Sequence, residues 1–385
     1  MKIFKLKDIS EFIRNGVTIK QDISSKEGIP ITRIETISKG TIDFNKLGYA
    51  NIFKIEKYKE WLLKKGDILI SHINSEKHLG KSAIYLDNNY DIIHGMNLLC
   101  IRAIDKKVFP EYLQLFFKTN QYKKQIKKIT KKSVNQASFS VNDFKEILIT
   151  VPDLNIQEKI IKKIKVLEKI LENNKLKLNY LSELTKSLFT RMFGDIKSND
   201  KNWKIYKFSE KLKISSGGTP SKANKIYWKN GTISWIGSNM CNDEIITKND
   251  GKFITEEGLK NSSAKIYKMN TVIVALVGAT IGKTGLLKFE TSTNQNIAAL
   301  EIKNMDYSPE FLFFLLQNLY YKFTELGGDT FKMANLSFIK NLPLISPPIE
   351  LQNKFAERIE KIEKLKFEIE KSIEESQKLY NSLIS

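Results

Sequence analysis

The chain has 385 residues, and 63 lysines and arginines against 43 aspartates and glutamates give it a formal net charge of +20 at pH 7. Apolar residues at 41% and charged residues at 28% are typical of a folded chain of two or three domains rather than a disordered one. The longest apolar runs, 271–277 and 311–316, are too short to cross a bilayer, and residues 1–8 do not resemble a signal peptide. Two cysteines, Cys100 and Cys241, exclude a disulfide framework, so we expect a cytoplasmic protein that is neither secreted nor membrane-embedded.

The basic residues are concentrated in two blocks. Residues 1–150 carry 27 basic and 16 acidic groups, and residues 196–345 carry 20 and 13. The segments 151–195 and 346–385 carry 9 against 6 and 7 against 8. Heavy use of lysine is typical of an AT-rich genome, but codon usage does not explain this distribution. Two basic bodies with less charged connectors favour a polyanionic partner such as nucleic acid.

The chain repeats itself with an offset of about 200 residues. Three pairs of segments match in the same order: Lys2-Ile-Phe-Lys-Leu6 with Lys204-Ile-Tyr-Lys-Phe208, Leu79-Gly-Lys-Ser82 with Ile281-Gly-Lys-Thr284, and Pro110-Glu-Tyr-Leu113 with Pro309-Glu-Phe-Leu312. Pro152 and Gln157 likewise match Pro347 and Gln352, and a long helical pattern follows each pair. We therefore predict an α+β (mixed α/β) fold with globular domains at 1–150 and 196–345 and long helices at 151–195 and 346–385.

Both long helical segments carry the apolar seam of a coiled coil, with steps of three and four residues. The seam positions are Ile160, Ile164, Leu167, Leu171, Leu178 and Leu181 in the first helix, and Phe355, Ile359, Ile362, Ile369 and Ile373 in the second. Asn174 and Thr185 interrupt the first seam. We expect the two helices to pair antiparallel within the chain, with the globular domains held apart; pairing between chains in a homodimer or trimer is the alternative.

A P-loop-like segment and a group of possible metal ligands are weak indications of catalysis. Val277-Gly-Ala-Thr-Ile-Gly-Lys-Thr284 ends like a phosphate-binding P-loop, but Val277 stands where that motif needs a glycine. His72, His78, His94 and Cys100 are possible metal ligands, but the second copy contains no histidine, so a shared metal site is excluded. We expect no catalytic residue, no metal and no cofactor in this chain.

Polar loops of the second copy are better candidates for binding. Gly217-Gly-Thr-Pro220 predicts a turn that brings backbone close to a ligand, and amide side chains can pair with adenine. The candidate residues are Thr219, Ser221, Lys222, Lys225, Ser238, Asn239, Thr280, Lys283, Asn294, Gln295, Asn296 and Lys332. For Tyr227, Trp228 and Trp235 we favour a place in the core over a binding role.

The first copy contains a run of seven lysines between 118 and 132 without an acidic residue among them. A solvated helix face is the usual interpretation of such a run, but lysines without interspersed glutamate repel each other, and a polyanion would relieve that repulsion. The candidate binding residues of this copy are Thr18, Lys20, Arg33, His72, Lys81, Asn97, Lys123, Lys127, Lys131 and Gln136.

These features together resemble the DNA specificity subunits of type I restriction–modification systems. The resemblance covers the whole chain and rests on the following segments: Gly217-Gly-Thr-Pro-Ser221, Tyr227-Trp228, Ile233-Ser-Trp-Ile236, Gly258-Leu259, Gly278-Ala-Thr-Ile-Gly-Lys-Thr284, Thr293-Asn-Gln-Asn296 and Pro347-Pro-Ile-Glu-Leu-Gln352. The first copy departs from the pattern, because Arg14-Asn-Gly-Val-Thr18 stands where the second has Gly-Gly-Thr-Pro.

The resemblance implies two target-recognition domains, each binding one half of a bipartite double-stranded DNA target, with the helices setting the gap between the halves. It implies a non-catalytic subunit on which two methyltransferase (M) subunits and the restriction (R) subunits assemble, so that S-adenosylmethionine, ATP and magnesium belong to those partners. Because the two copies have diverged, we expect an asymmetric target. Residues 196–345 contain no arginine, so a guanine there would be bound by lysine, amide, hydroxyl or backbone groups.

Two alternatives from other classes remain. The chain could be a stand-alone coiled-coil DNA-binding or scaffold protein without methyltransferase partners. It could also be a P-loop enzyme, which would bind ATP through Lys283.

Overall fold

The computed structural model describes residues 2–20, 27–87, 90–133, 136–326 and 333–384, and each structural statement below concerns these residues. Backbone contacts divide the chain into two compact units. Unit 1 comprises Met1–Lys175 and Lys371–Ser385, and unit 2 comprises Leu176–Glu370. Each long helix therefore contributes one segment to each unit.

The described chain forms helices and strands in the following order. The helices are α1 Pro110–Phe116, α2 Asn120–Ile129, α3 Val141–Lys145, α4 Leu154–Phe193, α5 Phe208–Lys211, α6 Glu256–Lys260, α7 Pro309–Asn318, α8 Tyr320–Thr324, α9 Leu336–Lys340 and α10 Ile349–Ile384. The strands are β1 Lys2–Lys5, β2 Ser10–Asn15, β3 Ile68–Ser71, β4 Ile73–Asn74, β5 Ser82–Ile84, β6 Leu98–Ala103, β7 Lys131–Lys132, β8 Ala137–Ser138, β9 Leu148–Val151, β10 Ile205–Lys207, β11 Leu212–Ser216, β12 Ile233–Ile236, β13 Glu244–Ile246, β14 Phe253–Ile254, β15 Ile266–Tyr267, β16 Val272–Ala275, β17 Thr284–Leu287, β18 Thr291–Thr293, β19 Ile297–Ile302 and β20 Pro343–Ile345.

The central sheets of the two units have the same strand order. It is β2-β6-β3-β5 in unit 1 and β11-β19-β16-β17 in unit 2, where β13 is added at the edge beside β17. Neighbouring strands are antiparallel except for the β13–β17 pair, which is parallel. Each unit also has a two-stranded antiparallel sheet, which β1 forms with β9 in unit 1 and β10 forms with β20 in unit 2. The duplication in the sequence is therefore a duplication of topology.

Unit 2 has a second, smaller sheet with the strand order β14-β12-β18-β15, and unit 1 has a different small sheet, β4-β8-β7. Unit 1 reproduces the same three pairings as single bridges: Ile31 with Gly48, Ile31 with Ile93, and Leu62 with Ile93. In both units the pairing between the two inner segments is parallel and the outer pairings are antiparallel. The first copy therefore keeps the arrangement of this sheet although its loop sequences have diverged.

The two long helices pack against each other within each unit. In unit 1 the Asn174 Nδ2 donates to the Ser372 Oγ at 3.1 Å, and the Tyr380 hydroxyl donates to the Glu168 carboxylate at 3.4 Å. In unit 2 the rings of Phe189 and Phe355 meet edge to face at 5.6 Å. Residue numbers on α10 rise as those on α4 fall, so the pair is antiparallel and intramolecular, as the sequence predicted.

The seam of this pair follows the predicted positions. Ile164, Leu167, Phe355, Ile359 and Ile362 are buried. The other predicted positions, Ile160, Leu171, Leu178, Leu181, Ile369 and Ile373, are half-buried. The polar interruptions Asn174 and Thr185 are buried in the seam as well.

The unit 2 core is dominated by aromatic rings from α4, α7 and α10. Phe193 lies 4.7 Å from Phe311 and 5.3 Å from Phe355, measured between ring centroids. Helix α7 is buried over most of its surface because its sequence after Pro309-Glu310 is apolar on every side. Within the described residues, no helix is long and apolar enough to span a membrane.

Candidate nucleic-acid interface

Unit 2 has a groove of about 970 Å³ that collects candidate residues from separate parts of the sequence. We call it the amide groove, and its lining residues are Lys222, Lys225, Trp228, Lys229, Asn230, Gly231, Trp235, Gly237, Ser238, Asn239, Gly251, Lys252, Phe253 and Asn294. Five of the predicted binding residues, Lys222, Lys225, Ser238, Asn239 and Asn294, are among them. The groove therefore combines amide and hydroxyl groups with cations, which is the combination that DNA-binding proteins present to base edges and phosphates.

Two tryptophans form one wall of the amide groove. Trp235 is 6% exposed and its indole N–H donates to the Gly218 carbonyl at 2.9 Å. Trp228 packs against it edge to face at 5.2 Å and donates to the Ser221 carbonyl at 3.2 Å. Both indole N–H groups are therefore used inside the protein, and Trp235 belongs to the core, as expected.

The Gly-Gly-Thr-Pro turn packs closely against the rest of unit 2, and its approach to a ligand stays a prediction. A Cβ atom on Gly217 would lie 2.1 Å from the Thr293 carbonyl oxygen, and one on Gly218 would lie 2.3 Å from the Ser263 hydroxyl. Glycine is required there because the backbone of the turn lies directly on the end of β18. This contact places Thr219 beside Gln295, to whose side-chain oxygen it donates at 2.5 Å.

Three backbone amides of the loop that resembles a P-loop donate hydrogen bonds inside the protein. The backbone N–H groups of Ile281, Gly282 and Lys283 donate to the carbonyls of Gly278, Ala275 and Thr280 at 2.8–3.1 Å. The Lys283 ammonium pairs with the Asp243 carboxylate at 2.5 Å, and this hydrogen bond raises the lysine pKa. A phosphate cradle needs free amides and a free lysine, and these three amides and this lysine bond inside the protein instead.

Unit 1 has a basic groove of about 680 Å³, which we call the lysine groove. Its lining residues are Lys39, Gly40, Thr41, Glu76, Lys77, Leu79, Gly80, Lys81, Ser82, Phe117, Lys118, Tyr122, Lys123, Ile126, Lys127, Thr130 and Lys132. The predicted residues Lys81, Lys123 and Lys127 meet here, although Lys81 is on a loop and the other two are on α2. Sequence reasoning missed Lys39 and Lys77, which lie outside the lysine run and reach the groove only through the fold.

The remaining candidates of unit 1 are dispersed. Thr18, Lys20, Lys131 and Gln136 are exposed, and Arg33 and Asn97 are half-buried. His72 is only 5% exposed, and burial lowers its pKa to about 4, so its ring is neutral and enclosed. It is therefore unavailable for direct contact with a ligand in this structure.

Of the other unit 2 candidates, Ser221 and Gln295 are exposed, and Thr219, Thr280, Lys283 and Asn296 are half-buried. Lys332 lies outside the described residues. In the amide groove, sequence reasoning missed Lys229, Asn230 and Lys252. The first two follow the motif Tyr227-Trp228 directly, and that adjacency was the available signal.

The histidines and cysteines do not form a metal centre in the described part of the chain, where no group of three histidine, cysteine, aspartate or glutamate residues is placed to hold an ion. His94 Nε2 donates to the Leu98 carbonyl at 2.9 Å, and burial lowers the pKa of this imidazole to about 4. Burial also raises the pKa of the Cys100 thiol well above its ordinary value. These residues belong to the interior of unit 1.

Two copies of one α+β unit, each with a lysine-bearing groove and joined through a pair of long helices, define a tandem nucleic-acid-binding protein. A family model for the type I restriction modification DNA specificity domain matches residues 1–181 and again residues 200–378. The putative specificity subunit of the type I restriction enzyme MjaX of Methanocaldococcus jannaschii is 30% identical, and the match covers 94% of this chain and 87% of that protein.

Two further comparisons agree. The EcoKI specificity subunit of Escherichia coli K12 is 24% identical over 47% of this chain and 40% of that protein. The crystal structure of a type I restriction–modification S subunit from M. genitalium has the same fold, with a TM-score of 0.62 at 13% identity, over 100% of this chain and 94% of that one. The chain belongs to the family of DNA specificity subunits of type I restriction–modification systems.

Proposed function

We propose that this chain binds an asymmetric, bipartite DNA target, with one half-site on each of the domains 1–150 and 196–345. The helical segments 151–195 and 346–385 set the spacing between the half-sites. The observation that carries this proposal is the duplicated topology combined with divergent loop sequences. Two copies of one unit would bind DNA in equivalent ways, but the different side chains of their loops favour different base sequences.

In unit 2, the amide groove is the proposed surface for base recognition. Asn239 and Asn294 offer donor and acceptor groups of the kind that pair with the major-groove edge of adenine, and Lys222 and Lys225 in the same groove are proposed to contact phosphates or guanine. The Asn294 side-chain oxygen accepts from the Asn296 N–H at 3.1 Å, which orients the amide. With no arginine in residues 196–345, the neutral amides carry the base preference and the lysines supply affinity.

The long helices are the proposed docking surface for two methyltransferase subunits. In unit 2, Leu176, Tyr180 and Leu184 are spaced four residues apart on α4 and are 46%, 71% and 52% exposed. On α10, Leu365 and Phe367 are exposed as well. Such a concentration of exposed apolar side chains is typical of a protein–protein interface.

The chain itself is proposed to be non-catalytic. The methyltransferase subunits would bind S-adenosylmethionine and methylate adenine, and restriction subunits would supply the functions that need ATP and magnesium. Because its DNA and these partners are in the cytoplasm, the complex would act there. The proposal is supported by the family membership and by the P-loop-like segment, in which three backbone amides and the Lys283 ammonium bond inside the protein.

The test is co-expression with the methyltransferase gene of the same system, followed by mapping of methylated adenines in genomic DNA. We expect a stable complex and one bipartite, non-palindromic motif. Replacing residues 196–345 with the corresponding domain of another family member should change one half of the motif only. Failure to form a methylating complex would favour the stand-alone DNA-binding protein instead, and ATP binding by the isolated chain that depends on Lys283 would favour the P-loop enzyme.

Point variants locate the base contacts more finely. Asn239→Ala and Asn294→Ala are each expected to relax the motif at one position, at a cost of about 1–3 kcal/mol in discrimination. Asn261→Ala is the matched control, because Asn261 is exposed on unit 2 outside the amide groove and bonds to Glu257. A motif that is unchanged in both groove variants would contradict the assignment of this surface.

A further inference from the structure

The lysine groove of unit 1 is built from two elements that the fold holds firmly together. The Tyr122 hydroxyl of α2 donates to the Gly80 carbonyl in the loop before β5, at 3.0 Å. Gly80 has φ +76°, and a Cβ atom there would lie 3.1 Å from the Ile126 side chain, so the loop lies directly on the helix. At the other side of α2, the Gln125 amide exchanges two hydrogen bonds with the backbone of Leu148 in β9. Lys81 and the lysines of α2 are therefore attached to one rigid support.

The groove carries a strong positive charge that its surroundings neutralise only in part. Among the described residues, seven lysines and a single acidic residue, Glu76, line it. Lys132 pairs with Glu76 at 2.8 Å, and Lys118 pairs with Glu168 at 3.2 Å. Lys123 and Lys127 are exposed one helical turn apart and have no ion-pair partner within 4 Å among the described residues. Their charges are available to an external anion.

The lysine at the equivalent position of unit 2 has a different environment. Lys283 corresponds to Lys81, but it is paired with Asp243, whose carboxylate also accepts from the Thr284 N–H and hydroxyl at 3.0 and 3.1 Å. Lys81 instead donates to the neutral carbonyl of Ser38 at 3.0 Å. The short helix α8, which packs on this loop of unit 2 as α2 packs on that of unit 1, has one lysine, Lys322, and it is paired with Glu325 at 3.4 Å. In the described residues, the unpaired lysines of this surface belong to unit 1.

We propose that the lysine groove binds the phosphate backbone of duplex DNA and is a sequence-independent contact that unit 2 does not make at the equivalent surface. The inference rests on the proposed function and deepens it. The groove offers fixed cations on a rigid support, whereas base recognition needs donors and acceptors in a defined pattern. Its cations would displace counterions from DNA, so their contribution falls steeply as salt rises.

The test compares the full chain with the triple variant Lys81→Gln/Lys123→Gln/Lys127→Gln. Binding is measured by fluorescence anisotropy to a random-sequence duplex of about 30 base pairs and to one carrying the mapped motif, from 50 to 200 mM KCl. Each lost phosphate contact makes the negative slope of log K against log salt shallower by about 0.9. Between 50 and 200 mM KCl, the loss of three contacts should therefore make the salt-induced fall in affinity about 40-fold smaller for the variant than for the wild type. The loss should be equal for both duplexes.

Two variants control for charge and folding. Lys248→Gln/Lys260→Gln/Lys340→Gln removes the same charge from exposed positions of unit 2, and we expect its salt slope to stay close to that of the wild type. Lys81→Arg/Lys123→Arg/Lys127→Arg keeps the groove positive and should keep the slope.

Three results overturn the inference. The first is a salt slope of the groove variant equal to that of the unit 2 control, and the second is a loss confined to the motif duplex. The third is loss of the methyltransferase subunit when the groove variant is co-purified with it, with DNA binding unchanged, which would identify an acidic protein as the occupant. Failure of the proposed function gives a different result. Methylation mapping would then give no motif, while the salt slope for the random-sequence duplex would still depend on the groove lysines.

Discussion

Gln157 and Gln352 make the same three hydrogen bonds in the two units. Both are fully buried near the start of a long helix, Gln157 in α4 and Gln352 in α10. The Gln157 side-chain oxygen accepts from the Phe109 N–H, just before α1, and its amide nitrogen donates to the carbonyls of Lys107 and Pro152. In the same way, the Gln352 oxygen accepts from the Ser308 N–H, just before α7, and its amide nitrogen donates to the carbonyls of Asp306 and Pro347. These glutamines thus attach each long helix to its own globular body.

Replacing Gln157 with leucine should destabilise unit 1 by about 3 kcal/mol or more. The substitution leaves a buried N–H and two buried carbonyls without partners, and each such group costs about 1–3 kcal/mol. Denaturant unfolding followed by circular dichroism measures the change, and Gln352→Leu should have a similar effect on unit 2. Gln377→Leu is the control, because this glutamine is exposed on α10 and bonds to Asn381. Equal unfolding curves for all three variants would show that the buried glutamines do not attach the helices.

Cysteines introduced at Asn174 and Ser372 should form a disulfide within one chain. The two side chains are in hydrogen-bond contact at 3.1 Å across the antiparallel helix pair. The natural cysteines are buried and do not compete. Under oxidising conditions, we expect a monomer of increased mobility on a non-reducing gel. A covalent dimer would instead indicate that the helices pair between chains, and a cysteine at Asn174 alone is the control for non-specific oxidation.

Asp243→Asn should make unit 2 bind DNA more tightly without changing its fold. Asparagine retains the oxygen that accepts from Thr284, but it removes the negative charge that holds Lys283. The released lysine can contact a phosphate, so the salt slope for random-sequence duplex should steepen by about 0.9. Asp250→Asn is the comparison, because Asp250 pairs with Lys252, which already lines the amide groove. A slope that is unchanged by Asp243→Asn would show that Lys283 does not reach DNA even when it is free.

The stability of unit 1 should fall as the pH is lowered from 6.5 towards 4. Burial lowers the pKa of His94 and of His72 to about 4, below the ordinary value of 6.5. Between pH 6.5 and 4, these two histidines are protonated in the unfolded chain but not in the folded chain. Their contribution to the free energy of unfolding of unit 1 is therefore complete above pH 6.5 and is lost as the pH falls. Thermal unfolding across this range should show a shallower dependence for His94→Gln, whose amide can still donate to the Leu98 carbonyl. His78→Gln serves as the control, because His78 is half-buried at the end of a short 3-10 helix, Glu76–His78, rather than enclosed in the core. Identical pH profiles for the two variants would contradict the prediction.

The antiparallel helix pair was predictable because its signal is local. A seam repeating every three or four residues specifies a helix and its apolar face without reference to the rest of the chain. Phe355 and Ile359 could be assigned to the seam for this reason. Each helix had a partner of similar length in the same chain, which favoured the intramolecular pair.

The assembly of the grooves was not predictable to the same degree. Lys222, Asn239 and Asn294 come from three separate segments, and only the strand order of the smaller sheet brings them to one surface. Residue type alone made these three residues candidates for binding. The same reasoning selected His72, but the fold buries the His72 ring. Residue type indicates what a side chain can bind, whereas burial and neighbours decide whether it is accessible.

The sequence by itself determined the duplication, the α+β class, the two long helices and the family, because these depend on local periodicity and on ordered motifs. The tertiary structure alone decided which charges are free. The parallel pairing of β13 with β17 brings Asp243 to Lys283 across 40 residues of sequence, while Lys81 meets only a carbonyl. Electrostatic attraction depends on distance in space, and distance in space between remote segments is set by strand order rather than by sequence separation.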